Sequence, residues 1–112
     1  MLASGDVTVA DLGEPTGREA GFPRPVVVIT AQTVLNQGPS VVAVVPLTTT
    51  LRGFGSEVEI APDDANGLDA TSAAQCQHVR AVSTERLLEP RGNVGSATLA
   101  QIREVLADLI DL

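Results

Sequence analysis

Arg24-Pro25-Val26-Val27-Val28-Ile29-Thr30, echoed by Val41-Val42-Ala43-Val44-Val45-Pro46-Leu47, is the stretch that decides how this chain folds. Both apolar runs have the length of a strand and are far too short to cross a bilayer. Their β-branched residues suit a pleated sheet, and Pro25, at the start of its run, removes no interior ladder bond. Weaker strand signals surround them. Val7 and Val9 alternate with polar neighbours, Glu57–Ile60 alternates with one apolar face, and Ala74–Val82 resumes strand character. Gly13-Glu14-Pro15-Thr16-Gly17 punctuates the first connection, and Val34–Ser40, with Asn36, Gly38 and Pro39, forms a second with room for a helical turn. The acidic turn around Pro62–Gly67 reads as a solvated surface loop. Five strands in about 80 residues predict a mainly β fold, a small antiparallel barrel. Leu99, Ile102, Val105, Leu106, Leu109 and Ile110 then make the stripe of an amphipathic helix that closes one end, with Ser96 as its N-cap.

At 112 residues the chain is expected to form one domain, residues 1–112, with a core of Val, Leu, Ile and Ala, because Phe22 and Phe54 are its only large aromatics. That scarcity argues against stacking on aromatics as the main grip on nucleic acid. The net charge is −7, from seven arginines, no lysine and fourteen carboxylates. This excludes a plain basic coat, since release of counterions by clustered cations drives most non-specific binding to phosphates. Five acids, Glu57, Glu59, Asp63, Asp64 and Asp69, lie in one segment. Setting them aside leaves nine acids against seven bases, so a locally positive groove is open. One cysteine, Cys76, and one histidine, His78, exclude an intramolecular disulfide and a zinc-type cluster. No basic region followed by an apolar core opens the chain, so a soluble cytoplasmic protein with no membrane attachment is expected.

Glu19, within Gly17-Arg18-Glu19, stands five residues before Arg24, and Pro46-Leu47-Thr48-Thr49 and Gln77-His78-Val79-Arg80 follow. With the Gly5-Asp6-Val7 opening, Asn36, Glu85-Arg86-Leu87 and the C-terminal amphipathic segment, this order resembles the MazF/PemK family of small toxin endoribonucleases over nearly the whole chain. The resemblance implies an SH3-like barrel with a terminal helix, the architecture of MazF-like and CcdB-like proteins. It implies the toxin of a type II toxin–antitoxin pair: a metal-independent, cofactor-free enzyme that cuts single-stranded RNA at selected sequences. The products would be a 2′,3′-cyclic phosphate and a 5′-hydroxyl. A homodimer, with the RNA groove near its two-fold interface and the cognate antitoxin's tail occupying that groove, is implied as well.

Such cleavage needs a base for the 2′-hydroxyl proton, donors for the charged phosphorane and an acid for the leaving 5′-oxygen. The resemblance makes Arg24 catalytic and gives Thr48 a hold on the scissile phosphate. A guanidinium stays protonated and matches phosphate oxygens bidentately, so Arg24 is assigned as transition-state stabiliser and candidate proton donor. Thr48 is the hydroxyl donor, with Thr49 as the fallback if the register is shifted. Glu19 either positions Arg24, accepts from the amino group of cytosine or guanine, or is a plain solvated loop carboxylate. Arg18 replaces the serine or histidine usual in the family, and is either a phosphate contact or a solvated neighbour of Glu14. His78 replaces a glutamine that contacts RNA in related toxins, and with Gln77 and Asn36 it completes the substrate-binding set. As the only group with an ordinary pKa near neutrality, His78 is also a candidate auxiliary base.

Where PemK-type relatives carry an arginine and an aspartate as an acid–base pair, this chain has Gln75 and Gln77, so activity is expected to follow the arginine and threonine pattern. Thr8 stands where relatives place a large aromatic, and Arg80 is read as a structural anchor. Two rival readings share the barrel. One is a gyrase-binding poison of the CcdB type, set back by the absence of a C-terminal tryptophan; the other is an inactive relative that only binds antitoxin.

Overall fold

In the computed structural model, which describes residues 1–112, the two apolar runs become neighbouring antiparallel strands, β2 (Pro23–Val28) and β3 (Val41–Thr48). Val26, Val27 and Val28 pair with Pro46, Val45 and Val44. Successive residues of a strand face opposite ways, and here both faces are covered. Val27, Val45 and Leu47 enter one core with Ile60, Ala74, Cys76, Val94, Leu99 and Ile102. Val26, Val28, Val42 and Val44 enter a second with Ala10, Leu12, Ala20, Leu35 and Val82. Burial on both sides explains why the runs are continuously apolar rather than alternating.

The remaining strands are β1 (Asp6–Asp11), β4 (Glu57–Ile60), β5 (Ser72–Gln75), β6 (Arg80–Ser83) and β7 (Leu87–Asn93). Their order is β4-β5-β3-β2-β1-β7, with β6 also pairing β3. Seven strands therefore replace the five expected, and the sheet curls without closing into a full barrel. β4 and β7 are its free ends, and the helix α2 (Ser96–Leu109) packs against β4. β7 escapes sequence reading because Pro90 and Gly92 interrupt it. Both are tolerated on a strand that pairs only with β1 and carries two register shifts there.

The expected strand Ala74–Val82 is broken by a 3₁₀ turn at Cys76–His78. β3 pairs β5 through Leu47 and Thr48 but β6 through Val41–Val44, so its partner changes at Val45 and Pro46. Pro46 has no N–H to donate, and the partner chain lifts off the sheet at that point. The lift exposes Gln77 beside buried Cys76.

α2 begins differently from expectation. Its N-cap is Gly95, at φ 85°, and Ser96 already lies in the first turn without capping it. Gly95 accepts from the Leu99 N–H, while its own N–H donates to Asn93 Oδ1 at 2.8 Å. The left-handed turn out of β7 needs glycine there. Of the apolar stripe, Leu99 and Ile102 are buried and Val105 and Leu106 half-buried, whereas Leu109 and Ile110 run out into solvent. The acidic loop is more structured than expected too. Asn66 is buried, accepts from the N–H groups of Asp63 and Leu68, and donates to Ala61 O. Thr8, also buried, donates its hydroxyl to Glu89 O at 2.9 Å and so occupies the aromatic's place with a hydrogen bond to β7.

Ile102 is fully buried and joins α2 to the sheet. Ile102→Ala should lower unfolding free energy by about 2–5 kcal/mol, read as a shift of the urea midpoint with unchanged slope. A loss below about 1 kcal/mol would show that α2 contributes little to the core.

Candidate active site

Extending the β2–β3 register by two residues sets Arg24 opposite Thr48, both at even positions on the Val26–Val44 side. They line one shallow depression of about 240 Å³ together with Gly21, Phe22 and Thr49. Arg24 is half-buried and forms no ion pair. Its Nε donates to Gly21 O at 3.1 Å and its Nη1 to Gln75 Oε1 at 3.3 Å. Both acceptors are uncharged. The guanidinium is thus oriented without being neutralised, and three of its five N–H donors remain free. Thr48 Oγ1 accepts from the Thr50 N–H at 3.1 Å, which leaves its own proton available to an anion.

Gln75 stands where the resemblance places an arginine, and nothing in its sequence neighbourhood marks it as a partner of Arg24. It is buried, and lies across the β4–β5 ladder from Glu57. Glu57 anchors a polar network beneath the site. Its Oε2 accepts from Arg52 Nη2 at 2.8 Å and from Gln77 Nε2 at 2.7 Å, and Gln77 Oε1 in turn accepts from Ser56 Oγ. The other oxygen, Oε1, is enclosed with no donor at bonding distance. Burial alone would raise the pKa of this carboxyl; the amide of Gln77, then Arg52 and Gln75, outweigh it and hold the value below the ordinary 4.5.

Glu19 does not touch Arg24; its Oε1 accepts from the Thr16 N–H at 3.0 Å. The positioning role expected of it belongs instead to Gly21 O and Gln75. Glu19 lines a second depression of about 560 Å³ with Gln77, His78, Arg80 and the loop residues Glu14 and Ala20. This depression adjoins the first in sequence at Ala20 and Gly21. His78 is half-buried and has no side-chain hydrogen bond, and Arg18 is exposed with neither an ion pair to Glu14 nor a side-chain hydrogen bond. Asn36 is not brought to either depression. It ends the short helix α1 (Gln32–Leu35) and accepts from Gln32 Nε2, beside Met1, Leu2 and Thr84. Arg80 and Arg86 donate to Leu12 O and Asp11 O, tying down the end of β1. Cys76 is fully buried, and burial pushes its thiol up to about 11, so it is a core residue and no nucleophile.

A carboxyl whose pKa is depressed in the folded state stabilises above its unfolded pKa and loses that contribution as pH falls through the folded value. At pH 7, Glu57→Gln should therefore be less stable than wild type by about 1–3 kcal/mol. The gap should narrow as pH drops below the ordinary 4.5. Urea midpoints from pH 7 to pH 3 test this; a gap independent of pH would remove Glu57 from the charged network.

The sequence matches, over residues 3–110, the PemK-like, MazF-like toxins of type II toxin–antitoxin systems. It is 34% identical to the endoribonuclease MazF9 of Mycobacterium tuberculosis, over 100% of this chain and 98% of that protein. Among solved structures, a mycobacterial endoribonuclease in complex with its cognate antitoxin superposes with a TM-score of 0.80 at 25% identity, covering 100% of this chain and 97% of that one. MazF from Deinococcus radiodurans superposes with a TM-score of 0.81 at 22% identity, over 97% and 96% of the two chains, and supports the fold alone. The chain belongs to the PemK-like, MazF-like toxin family.

Proposed function

We propose that this member of the endoribonuclease toxin family cuts single-stranded RNA at selected sequences without a metal ion, and that a cognate antitoxin holds it in check. The observation that carries the reading is Arg24: a half-buried guanidinium, fixed by two neutral oxygens, with free donors beside a free hydroxyl. In an acidic chain, a cation left unpaired in a depression is an anion site.

As the 2′-hydroxyl gives up its proton to a base, its oxygen attacks the adjacent phosphorus; the P–O5′ bond breaks and the 5′-oxygen takes a proton, giving a 2′,3′-cyclic phosphate and a 5′-hydroxyl. Charge accumulates on the non-bridging oxygens, where Arg24 N–H groups and the Thr48 hydroxyl donate. Arg24 is also the candidate proton donor to the departing 5′-oxygen. Nucleotides beyond the scissile phosphate reach the second depression, where Glu19 and Gln77 can read base edges and His78 can serve as auxiliary base. Unpaired RNA suits the site because splayed bases present those edges. A homodimer would extend the groove across two chains.

Primer extension on a long RNA incubated with purified protein in EDTA tests the reading. Wild type should give discrete cuts. Arg24→Ala should lose about 10²–10³-fold in rate, with circular dichroism and melting temperature unchanged. Equal loss of folding would make Arg24 structural; no cuts by either protein would favour an inactive, antitoxin-binding relative.

A further inference from the structure

Phe22 puts an exposed ring in the Arg24 depression, and chemistry at phosphorus does not explain it. The chain has two phenylalanines and no larger aromatic, and neither ring is in the core: Phe22 is 58% exposed and Phe54 50%. Phe54 has a partner, since the Arg52 guanidinium lies 4.9 Å from its ring centroid. No cation lies over the Phe22 ring. Its backbone sits at φ 60°, a region that bulky side chains rarely adopt. The loop forces that geometry from both sides. The Phe22 N–H donates to Gly13 O at 2.6 Å, and its carbonyl accepts from the Leu12 N–H at 3.5 Å. Next to it, any side chain at Gly21 would run into the ring of Pro15.

Glycine would relieve the strain and remove the exposed apolar surface, so both stability and solubility argue against phenylalanine here. Strain held at such a place is characteristic of functional sites. The ring shares the depression with Arg24, Thr48 and Thr49, where the scissile phosphate is proposed to lie. A phosphate held by Arg24 brings the bases on either side of it within one nucleotide of Phe22.

We propose that Phe22 is a stacking platform for a nucleobase adjoining the scissile phosphate, and that it governs RNA affinity. This rests on the ribonuclease reading above. Two hydrogen bonds hold the Phe22 backbone, so little backbone freedom is lost when a base docks on the ring. Since every base has a π-face, the contact adds affinity without adding to the sequence code.

The test uses a short fluorogenic oligoribonucleotide carrying the motif found by primer extension, with wild type, Phe22→Gly, Phe22→Leu and Phe22→Trp. Phe22→Gly should raise KM roughly 5- to 150-fold, the range expected for one lost stack, with kcat within about threefold. It should also raise the melting temperature, because strain is released. Phe22→Leu keeps the apolar bulk and should share the KM loss, while Phe22→Trp should restore it. The chain has no tryptophan, so the indole introduced by Phe22→Trp gives a signal of its own. Its fluorescence should be quenched by the same oligonucleotide made uncleavable with a 2′-deoxy substitution. If wild type cuts and the KM values of Phe22→Gly and Phe22→Leu are unchanged, the platform is refuted while the enzyme reading stands. A dimer lost by sedimentation in Phe22→Gly would make the ring a protein contact and overturn the proposal. If wild type neither cuts nor binds RNA, the enzyme reading falls first and this inference falls with it.

Discussion

The pairing of Val26–Val28 with Val44–Pro46 is the constraint on which the site depends. It buries both faces of the two strands, so neither can shift by one residue without sending a set of valines to the wrong core. At the end of the same ladder, where the valines give way to polar residues, that register sets Arg24 opposite Thr48. The proline of β3 then ends one partnership of the strand and begins another. The resulting 3₁₀ turn carries Gln77 and His78 out of the sheet, and Gln75, just before it, stays buried against Arg24. The site is the edge of a rigid ladder rather than a loop assembly, apart from the Gly21–Phe22 corner.

Much of this was legible in the sequence. Two strand-length apolar runs gave the central pair of strands, and the Arg-Pro opening and the threonine run mark two residues, Arg24 and Thr48, that the sheet brings together. Other features were out of reach for physical reasons. Glu19 is near Arg24 in the chain, but proximity of five residues says nothing about direction, and its carboxylate turns back to Thr16. Gln75 is fifty-one residues from Arg24, and only the β3–β5 pairing makes them neighbours. Asn36 follows Arg24 at family spacing, yet the turn that contains it is spent on capping α1. The start of α2 was misplaced by one residue because a serine looks like a cap until the backbone before it proves left-handed.

The substitution of glutamines for a charged pair has a structural meaning. Gln75 and Gln77 both bond through neutral amides, one to Arg24 and the other to Glu57. An arginine at position 75 would set a second cation against Arg24 and offer it no acceptor. The amide oxygen of Gln75 orients the guanidinium and leaves its charge unspent. Glu57, the carboxylate close behind, is engaged by Arg52 and Gln77 and lies in the layer below.

That arrangement reconciles an acidic chain with a polyanionic substrate. Charges interact through solvent over a Debye length of about 8 Å at physiological ionic strength. The carboxylates of the Pro62–Gly67 loop and of α2 are on the surface, where salt screens them, whereas Arg24 is half-buried and is screened less. Net charge therefore sets how readily RNA approaches the protein, and the local balance sets what happens at the phosphate. With little general attraction to phosphates, the proposed affinity would have to come from the site's own contacts: a guanidinium, a hydroxyl, base edges and a ring. On that proposal, RNA lacking the sequence that satisfies those contacts would be held weakly, because the acidic surface offers it nothing else.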